Sequence, residues 1–258
     1  MFRFFRQLRL RFLAQNRFTG YLFYALGEIV LVVIGILLAL QINNWNEARK
    51  ERLQEIKIYR EILSDLEATL SEVNRDLDSH RQILGTTQFL INQLITQKPY
   101  ADSVITALLN TSVDLQVYPK SGGFETLSSI GLDLLSNDTV RMRITDLYQL
   151  RLKRVVELGW RETPSQDLRN LVWPYIEQHF EVDPDTAHMR AFDYGPGSIR
   201  TFAPKLRDYS AFLQDSELLR ALNYSALRRA VKIQSHYITV QDLNTAIVSI
   251  ANELERIE

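Results

Sequence analysis

Residues 21–42 form an almost unbroken apolar run in which Glu28 is the only charged residue. A helix needs about 20 predominantly apolar residues to cross the hydrocarbon core of a bilayer. Arginines precede the run and Trp45 follows it, which is typical of residues near the two membrane interfaces. These features predict a transmembrane helix over residues 20–42.

A cleaved signal peptide is the alternative, because it also begins with basic residues and continues with an apolar stretch. The run in this chain is longer than the apolar region of a signal peptide. The residues at its end, LLALQINNW, offer no clear cleavage site. A retained anchor is therefore the favoured interpretation.

The basic residues on the two sides of the span predict its orientation. Residues 1–20 carry five arginines and no acidic residue, whereas residues 43–57 carry four basic residues among acidic ones. Basic residues close to a span favour the cytoplasmic side. We expect a single-pass protein of the inner (cytoplasmic) membrane, with a cytoplasmic N-terminus and a periplasmic domain over residues 43–258.

The first 19 residues combine arginines with phenylalanines. If they are helical, Phe2, Phe5 and Phe12 fall broadly on one face, although Arg9 intrudes on it. This pattern favours a helix that lies on a surface of anionic lipid. The alternative is an unstructured basic tail that only sets the orientation of the span. We interpret residues 1–19 as a basic amphipathic segment.

Glu28 is a candidate functional residue because a carboxylate inside a membrane span is energetically costly. It could be protonated, pair with a basic residue or a tyrosine hydroxyl, or contact a neighbouring copy of the helix. Gly27 and Gly35 would allow close helix packing, although their spacing differs from the GxxxG motif. Proton transport usually requires several spans around the carboxylate. We therefore predict a polar contact within the membrane at Glu28, with Gly27 and Gly35 as candidate helix-packing residues.

Two motifs carry a resemblance to a known family. The first is GEIVLVVIGILLALQINNWNE, at residues 27–47, and the second is FETLSSIGLDLLSNDTVR, at residues 124–141. Both resemble signatures of an uncharacterised single-span membrane-anchored family of Bacteroidota, a domain of unknown function. The resemblance implies a basic, Phe-rich start, one span and a long charged helix after it. It implies architecture and location but no activity.

A seven-residue repeat follows the predicted span. One row contains Ile56, Leu63, Leu70, Leu77, Leu84 and Ile91, and the second contains Tyr59, Leu66, Val73, His80, Thr87 and Leu94. Such a repeat is typical of a long helix that packs along one seam. We expect this helix over residues 43–98, with His80 packed in the seam beside a polar neighbour and replaceable by leucine without loss of the fold.

A similar repeat marks a C-terminal helix, which we predict over residues 216–258. Its rows are Ala226, Ile233, Val240, Ile247 and Leu254, and Ala230, Tyr237, Asn244 and Ala251. Asn244 is a candidate helix-packing residue that would fix register. The expected fold is all-α: an N-terminal transmembrane helix, then an elongated helical bundle whose long first and last helices form an antiparallel, coiled-coil-like pair.

Between the two long helices, the sequence predicts short helices over residues 101–180. Asn137 or Asp138 can start one helix, Asp215 or Ser216 can cap the start of another, and Gly131 is suited to end a helix. Residues 181–214 hold three of the seven prolines and little periodicity, which predicts an irregular loop that is packed down by its aromatic residues.

The sequence offers little chemistry. It contains no cysteine, which excludes disulfides and thiolate metal sites, and it lacks the common nucleotide-binding, zinc-protease and serine-hydrolase motifs. The acids of residues 181–185 could hold a cation, but their spacing matches no EF-hand loop, which favours a solvated acidic turn. A net charge of −1 gives no electrostatic reason to expect nucleic acid as a partner. We name no catalytic, cofactor-binding or metal-binding residue and expect no cofactor.

These observations favour a membrane-anchored helical interaction or assembly protein. Its expected partners are the lipid bilayer and either further copies of the chain or another membrane protein. The alternative is an extracytoplasmic ligand-sensing helical domain that signals through a partner protein. A pocket lined by convergent polar groups would favour ligand sensing, and an exposed apolar face would favour assembly. An enzyme is the least favoured class, because no catalytic constellation occurs.

Overall fold

The computed structural model describes residues 18–160, 168–191 and 198–258, and it describes side chains within residues 22–157, 168–187 and 198–258. The chain divides into two compact units, Met1–Lys57 and Ile58–Glu258. The predicted amphipathic segment over residues 1–19 lies almost wholly outside the described residues.

The first helix, α1, spans Phe18–Thr96. It includes the predicted transmembrane helix over residues 20–42 and most of the predicted helix over residues 43–98, because no proline interrupts the chain between its ends. α1 ends where Gln97 adopts a left-handed φ of 50°, two residues before Pro99. In the first unit, no residue between 22 and 42 is buried.

The remaining described elements belong to the second unit. The helices that follow are α2 (Ser103–Thr111), α3 (Gly122–Ile130), α4 (Asp138–Asp146), α5 (Lys153–Trp160) and α6 (Leu168–His179). A 3-10 turn (Leu132–Leu134) follows α3, and a π-helical turn (Leu147–Leu152) joins α4 to α5. Strands β1 (Phe180–Ala191) and β2 (Ser198–Leu206) precede helices α7 (Tyr209–Gln214) and α8 (Ser216–Ile257).

Three predicted helix ends are confirmed by local hydrogen bonds. The Asn137 side chain accepts from two backbone N–H groups in the first turn of α4, and Asp215 does the same for α8. These carbonyl and carboxylate oxygens satisfy N–H groups that a helix cannot pair internally. Gly131 ends α3 with a φ of 126°, and its N–H donates to the carbonyl of Leu127 at 2.9 Å.

α1 and α8 pack antiparallel, as the sequence predicted. Arg60, near the start of the second unit, donates to the carboxylate of Glu258 at 2.8 Å. At the opposite end of the pair, the side-chain amide of Gln97 donates to the carbonyl of Leu213 at 2.9 Å, just before α8 begins. The mostly helical fold and its antiparallel pair of long first and last helices are thus confirmed.

The buried face of α1 matches one predicted row and misses the other by one residue. The row Tyr59, Leu66, Val73, His80, Thr87 and Leu94 is buried throughout. The other buried row contains Ile62, Thr69, Ile83 and Leu90, whereas the predicted leucines one position later are mostly half-buried. α1 also accepts hydrogen bonds from the segment before α3 and from the first turn of α3, so its contact stripe is wider than a two-helix seam.

The predicted seam of α8 misses most of the buried face, although Leu254 belongs to it. The buried rows are Leu218, Ser225, Lys232, Thr239, Ala246 and Glu253, and Leu222, Arg229, His236, Leu243 and Ile250. Asn244 is exposed, and its amide donates to the carbonyl of Val240 in its own helix at 2.8 Å. The hydrophobic pattern misplaced the face because the middle of the buried stripe is polar.

A β-hairpin replaces most of the irregular loop that the sequence predicted over residues 181–214. β1 and β2 pair antiparallel, with an irregularity between Val182 and Ala187. Residues 192–197 lie outside the described part of the chain. The strands escaped prediction because their described side chains are largely exposed and Pro184 interrupts β1, so no alternation marks a buried face.

Apolar packing occurs on both sides of the middle of the α1–α8 pair. Towards the end of α1, one cluster joins α1, α2, α6, α7 and the start of α8: Leu90, Leu94, Val104, Leu108, Val172, Ile176, Phe212, Leu218 and Leu222. Towards the end of α8, buried residues include Ile62, Leu66, Leu127, Ile144, Leu243 and Ile250. The polar stripe of α8 lies between these two regions.

Candidate functional site

The three residues that the sequence singled out in the predicted span, Gly27, Glu28 and Gly35, do not form a site together in the structure. Glu28 is exposed on α1 and bonds to none of the residues whose side chains are described. A Cβ atom added at Gly27 or Gly35 would meet nothing within 4 Å. The structure therefore leaves these three positions open on the helix surface, and contacts to another chain stay a prediction.

A cluster of buried polar side chains lies instead in the middle of the second unit. We call it the polar layer and define it as His80 of α1, Asp114 after α2, and Arg229, Lys232 and His236 of α8. The three α8 residues occupy seam positions, and all of them are buried. Buried charged groups are costly unless hydrogen bonds or opposite charges compensate them, so each member needs a named partner.

Arg229 is fully buried and has three neutral acceptors. Its Nη1 donates to Nδ1 of His80 at 2.9 Å, and its Nη2 donates to the carbonyls of Thr111 at 3.2 Å and Val113 at 2.7 Å. Thr111 ends α2, and the negative end of a helix dipole favours a cation there. Burial lowers the pKa of Arg229 to about 10 against the opposing charge of Asp114, so the guanidinium stays charged at neutral pH.

Lys232 and Asp114 form a separate, bidentate ion pair. Nζ of Lys232 lies 2.8 Å from Oδ1 and 2.7 Å from Oδ2 of Asp114. The two side chains are only 4% and 10% exposed, so water screens the pair weakly. The two cations of the polar layer are therefore compensated differently. Asp114 neutralises the charge of Lys232, whereas backbone carbonyls at and after the end of α2 accept hydrogen bonds from Arg229.

Hydrogen-bond partners assign the tautomers of the two histidines. Arginine can only donate, so Nδ1 of His80 accepts and its proton lies on Nε2. The carbonyl of Lys232 can only accept, so Nδ1 of His236, 2.8 Å away, carries the proton and Nε2 holds a lone pair. The rings meet edge-on with centroids 5.0 Å apart. Neither Nε2 atom bonds to a protein group, although one is a donor and the other an acceptor.

Both histidines favour the neutral form. Burial and the charges of His236, Arg229 and Lys232 lower the pKa of His80 to about 3. Burial is also the largest cause that lowers the pKa of His236; the cation of Lys232 adds to it, while the Lys232 carbonyl and Asp114 act in the opposite direction. Protonating either ring would place a further positive charge beside Arg229 and Lys232.

The polar layer does not suit a metal ion in this arrangement. A metal at Nε2 of His80 would require the proton to move to Nδ1, where it would face the guanidinium of Arg229. The neighbouring cations also repel a metal ion. Among the described residues, no group of three or more histidine, aspartate or glutamate side chains is arranged to hold one.

The sequence identified one of the five members of the polar layer. His80 was predicted to be packed beside a polar neighbour, and Arg229 confirms this. The α8 members Arg229, Lys232 and His236 are three and four residues apart. Ser225 and Thr239 continue this alternation, which is the spacing of a helix-packing seam. That signal was present but lay in polar residues, so a search for apolar rows passed over it. Asp114 carried no pattern.

An open groove lies on another side of the second unit. Its volume is about 500 Å³, and its lining includes Arg143, Leu147, Leu150, Arg151, Arg154 and Asp242. We call it the arginine groove. One wall comprises α4, the π-helical turn and the start of α5, and α8 contributes the other wall. The sequence predicted short helices over residues 101–180 but no groove.

The fold and the polar layer define a mostly helical protein that is built on an antiparallel pair of long helices with a polar centre. The chain belongs to a family of unknown function (DUF6090), whose family model matches residues 28–162. The resemblance to a domain of unknown function is thereby confirmed at that level. The match includes the second sequence motif, at residues 124–141, and nearly all of the first.

No curated protein matches this chain. No solved structure matches it.

Proposed function

We propose that this protein is a membrane-anchored helical interaction protein that acts by self-association or by binding a partner within the membrane. The supporting observation is the apolar part of α1. One helix of the described chain is long and apolar enough to cross a membrane, and its apolar window is fully exposed. Contiguous apolar surface of this size is unfavourable in water, whereas lipid accommodates it.

The charge pattern supports an orientation for this anchor. Five arginines and no acidic residue precede the span within residues 1–20. This excess favours a cytoplasmic N-terminus in the inner membrane, with the second unit, Ile58–Glu258, in the periplasm. Such a protein would have most of its interaction surface outside the cytoplasm.

Glu28 supports association inside the bilayer. A glutamate side chain is short and cannot extend to the interface as lysine or arginine does. Glu28 is exposed on α1, so a partner span or a second copy can reach its carboxyl group with a hydrogen bond. The open backbone at Gly27 and Gly35 allows such a helix to approach closely.

The outer face of α8 supports association in the second unit. The residues predicted as a seam, Ala230, Tyr237 and Asn244, are exposed rather than packed within the chain. Leu227 and Val231 beside them are 66% and 54% exposed. An apolar and small-residue face on a long helix suits contact with another helix.

Ligand sensing through a partner protein is the second candidate function. The arginine groove supports it, because a concave site with convergent polar groups is the usual form of a ligand site. Anchoring in a membrane is common to both candidates. They differ in whether the second unit serves association with another chain or the binding of a ligand.

Crosslinking of the full chain in native membranes tests the assembly role. If Glu28 donates or accepts a neutral hydrogen bond, Glu28→Gln retains the crosslinked species and Glu28→Leu partly loses it. The loss should be partial, since an intramembrane polar contact contributes about 1 kcal/mol. Equal loss in both variants would indicate that the charge itself is required. Wild-type crosslinking in Glu28→Leu would refute a contact at this residue.

Protease treatment of spheroplasts tests the orientation separately. External protease should digest the second unit in intact spheroplasts. Protection until the membrane is lysed would reverse the orientation, and recovery of the chain in the soluble fraction would refute the anchor.

A further inference from the structure

The arginine groove runs along the π-helical turn, Leu147–Leu152. Residues Arg143, Leu147, Leu150 and Arg154 have spacings of four, three and four, which places them along one helical face. Arg151 follows Leu147 by four residues and precedes Arg154 by three, so it belongs to the same face. There Nε of Arg151 contacts Oδ2 of Asp242 on α8. π-Helical turns are frequent at functional sites.

The three arginines of the groove differ in how they are held. Arg151 is ion-paired with Asp242, and Arg143 donates to the hydroxyl of Ser249. Arg154 is exposed and has no hydrogen bond or ion pair with any residue whose side chain is described. The lining contains three arginines against two aspartates, so the groove carries an excess of positive charge. Arg154 can therefore bind an external acid without losing an internal partner.

Apolar side chains line the groove beside these arginines. Leu147 is buried at its floor, whereas Leu150 and Met142 are 64% and 59% exposed at its rim. Exposed leucine and methionine gain free energy when an apolar chain covers them. A purely polar anion would leave Leu150 and Met142 exposed to water, and a purely apolar ligand would make no ion pair with Arg154.

We propose that the arginine groove binds an anionic amphiphile, a carboxylate or phosphate group attached to an apolar chain. Arg154 and Arg151 receive the acid group, and Leu150 and Met142 cover the apolar chain. Guanidinium groups form strong charge-assisted hydrogen bonds with both acids. The proposal goes beyond the assembly role and does not depend on it, since it rests on residues of the second unit alone.

Photoaffinity labelling of the full chain in nanodiscs of zwitterionic lipid tests this proposal. The probe is a long-chain fatty acid that carries a diazirine, and mass spectrometry maps the labelled peptides. We expect label on peptides that contain residues 142–150 and 242–245, in addition to any label that partitioning into the bilayer places on residues 22–42. Octanoate and octyl phosphate distinguish carboxylate from phosphate by their relative competition. Octanol and inorganic phosphate should not compete.

Matched variants make the outcome specific. Arg154→Gln should reduce groove labelling about tenfold, because it removes a charge-assisted hydrogen bond. Leu150→Gln should reduce it through loss of apolar contact. Arg220→Gln removes an exposed arginine of α8 that pairs with Glu217 outside the groove, and it should label as wild type. Label confined to residues 22–42, equal competition by octanol, or undiminished labelling of Arg154→Gln would overturn the proposal. None of these results bears on crosslinking at Glu28.

Discussion

Arg229 donates from Nη1 to Nδ1 of His80 at 2.9 Å, which joins α8 to α1 inside the second unit. Both residues are fully buried, so water cannot replace either partner. That His80→Leu leaves the fold intact stays a prediction. Because the guanidinium of Arg229 would lose an acceptor, the structure adds a loss of stability to that expectation.

We predict that His80→Leu and Arg229→Met each lower the free energy of unfolding by about 1–3 kcal/mol, the cost of leaving a buried polar group without its partner. The double variant should lose less than the sum, by about 0.5–3 kcal/mol, since neither unpaired group remains. Denaturant unfolding of the detergent-solubilised full chain, followed by circular dichroism, measures all four proteins. Additive losses would show that the two residues do not interact.

Acidification should destabilise the fold through the two histidines of the polar layer. Their pKa values are lowered in the folded state, that of His80 to about 3, whereas an unfolded histidine titrates near 6.5. Between these pH values the unfolded chain binds more protons than the folded chain. The stabilising contribution of the two histidines is therefore full above about pH 6.5 and decreases as the pH falls. The limit is ~1.4 kcal/mol per pH unit for each histidine.

The measurement is the denaturation midpoint between pH 7.5 and pH 4. His236→Gln, which retains a side chain able to donate to the carbonyl of Lys232, should show a shallower pH dependence. An increase in wild-type stability as the pH falls from 7 to 5 would contradict this prediction.

Asp76 should act in the opposite direction. Burial and the charge of Glu72 raise its pKa to about 6, although Arg75 partly offsets them, and its Oδ2 is buried without a partner. Because the folded pKa is above the unfolded value of 3.8, its stabilising contribution is full below that value and is lost as the pH rises through 6.

We therefore expect Asp76→Asn to raise the denaturation midpoint at pH 7 and to have little effect below pH 4. The same variant should steepen the acid dependence of the histidines, because it removes the opposing contribution. Asp78→Asn is the control: its side chain is 77% exposed, and it should change stability by less than about 0.5 kcal/mol. An Asp76→Asn protein that is less stable at pH 7 would refute the assignment.

The elements that were predicted correctly are those whose signals are local. Asn137, Asp215 and Gly131 act within one or two turns, so residue type alone identifies them. The antiparallel pair of long helices followed from two seven-residue repeats. The buried face of α8 depended on partners distant in sequence, such as Asp114 for Lys232, 118 positions away, and a hydrophobic pattern contains no such information.

The candidate sites were less predictable than the fold for the same reason. The arginine groove depends on Asp242 of α8, 91 positions from Arg151, and the sequence shows only a helical segment around Arg151. Glu28 stays a prediction, because it rests on the cost of a carboxylate in the predicted span.

Gly123 lies where α3 approaches α1 closely. A Cβ atom at this position would lie 2.8 Å from the backbone N of Ile62 and 3.0 Å from Cγ1 of the same residue. Its N–H also donates to Asp65 of α1 at 2.8 Å, so α3 cannot retreat without breaking this bond. Gly123→Ala should lower the free energy of unfolding by about 1–3 kcal/mol, as overpacking of a tight contact does.

Gly122→Ala provides the matched control for Gly123→Ala. The added Cβ would lie 3.7 Å from Oδ2 of Asp65, an ordinary contact, and alanine is the better helix former. This variant should be neutral or slightly stabilising in the same denaturation experiment. Equal effects of the two substitutions would show that the close approach of α3 to α1 is not what requires glycine.

The polar layer extends beyond the part of the chain that the family model matches. The family model ends at residue 162, but His80 and Asp114 on its side of that limit find their partners in Arg229 and Lys232, beyond it. A fragment cut at the family boundary would expose the apolar rows of α1 to water and leave the carboxylate of Asp114 without its ammonium partner. The family match is thus shorter than the second unit, and a truncated form of this chain must retain α8 to keep the polar layer.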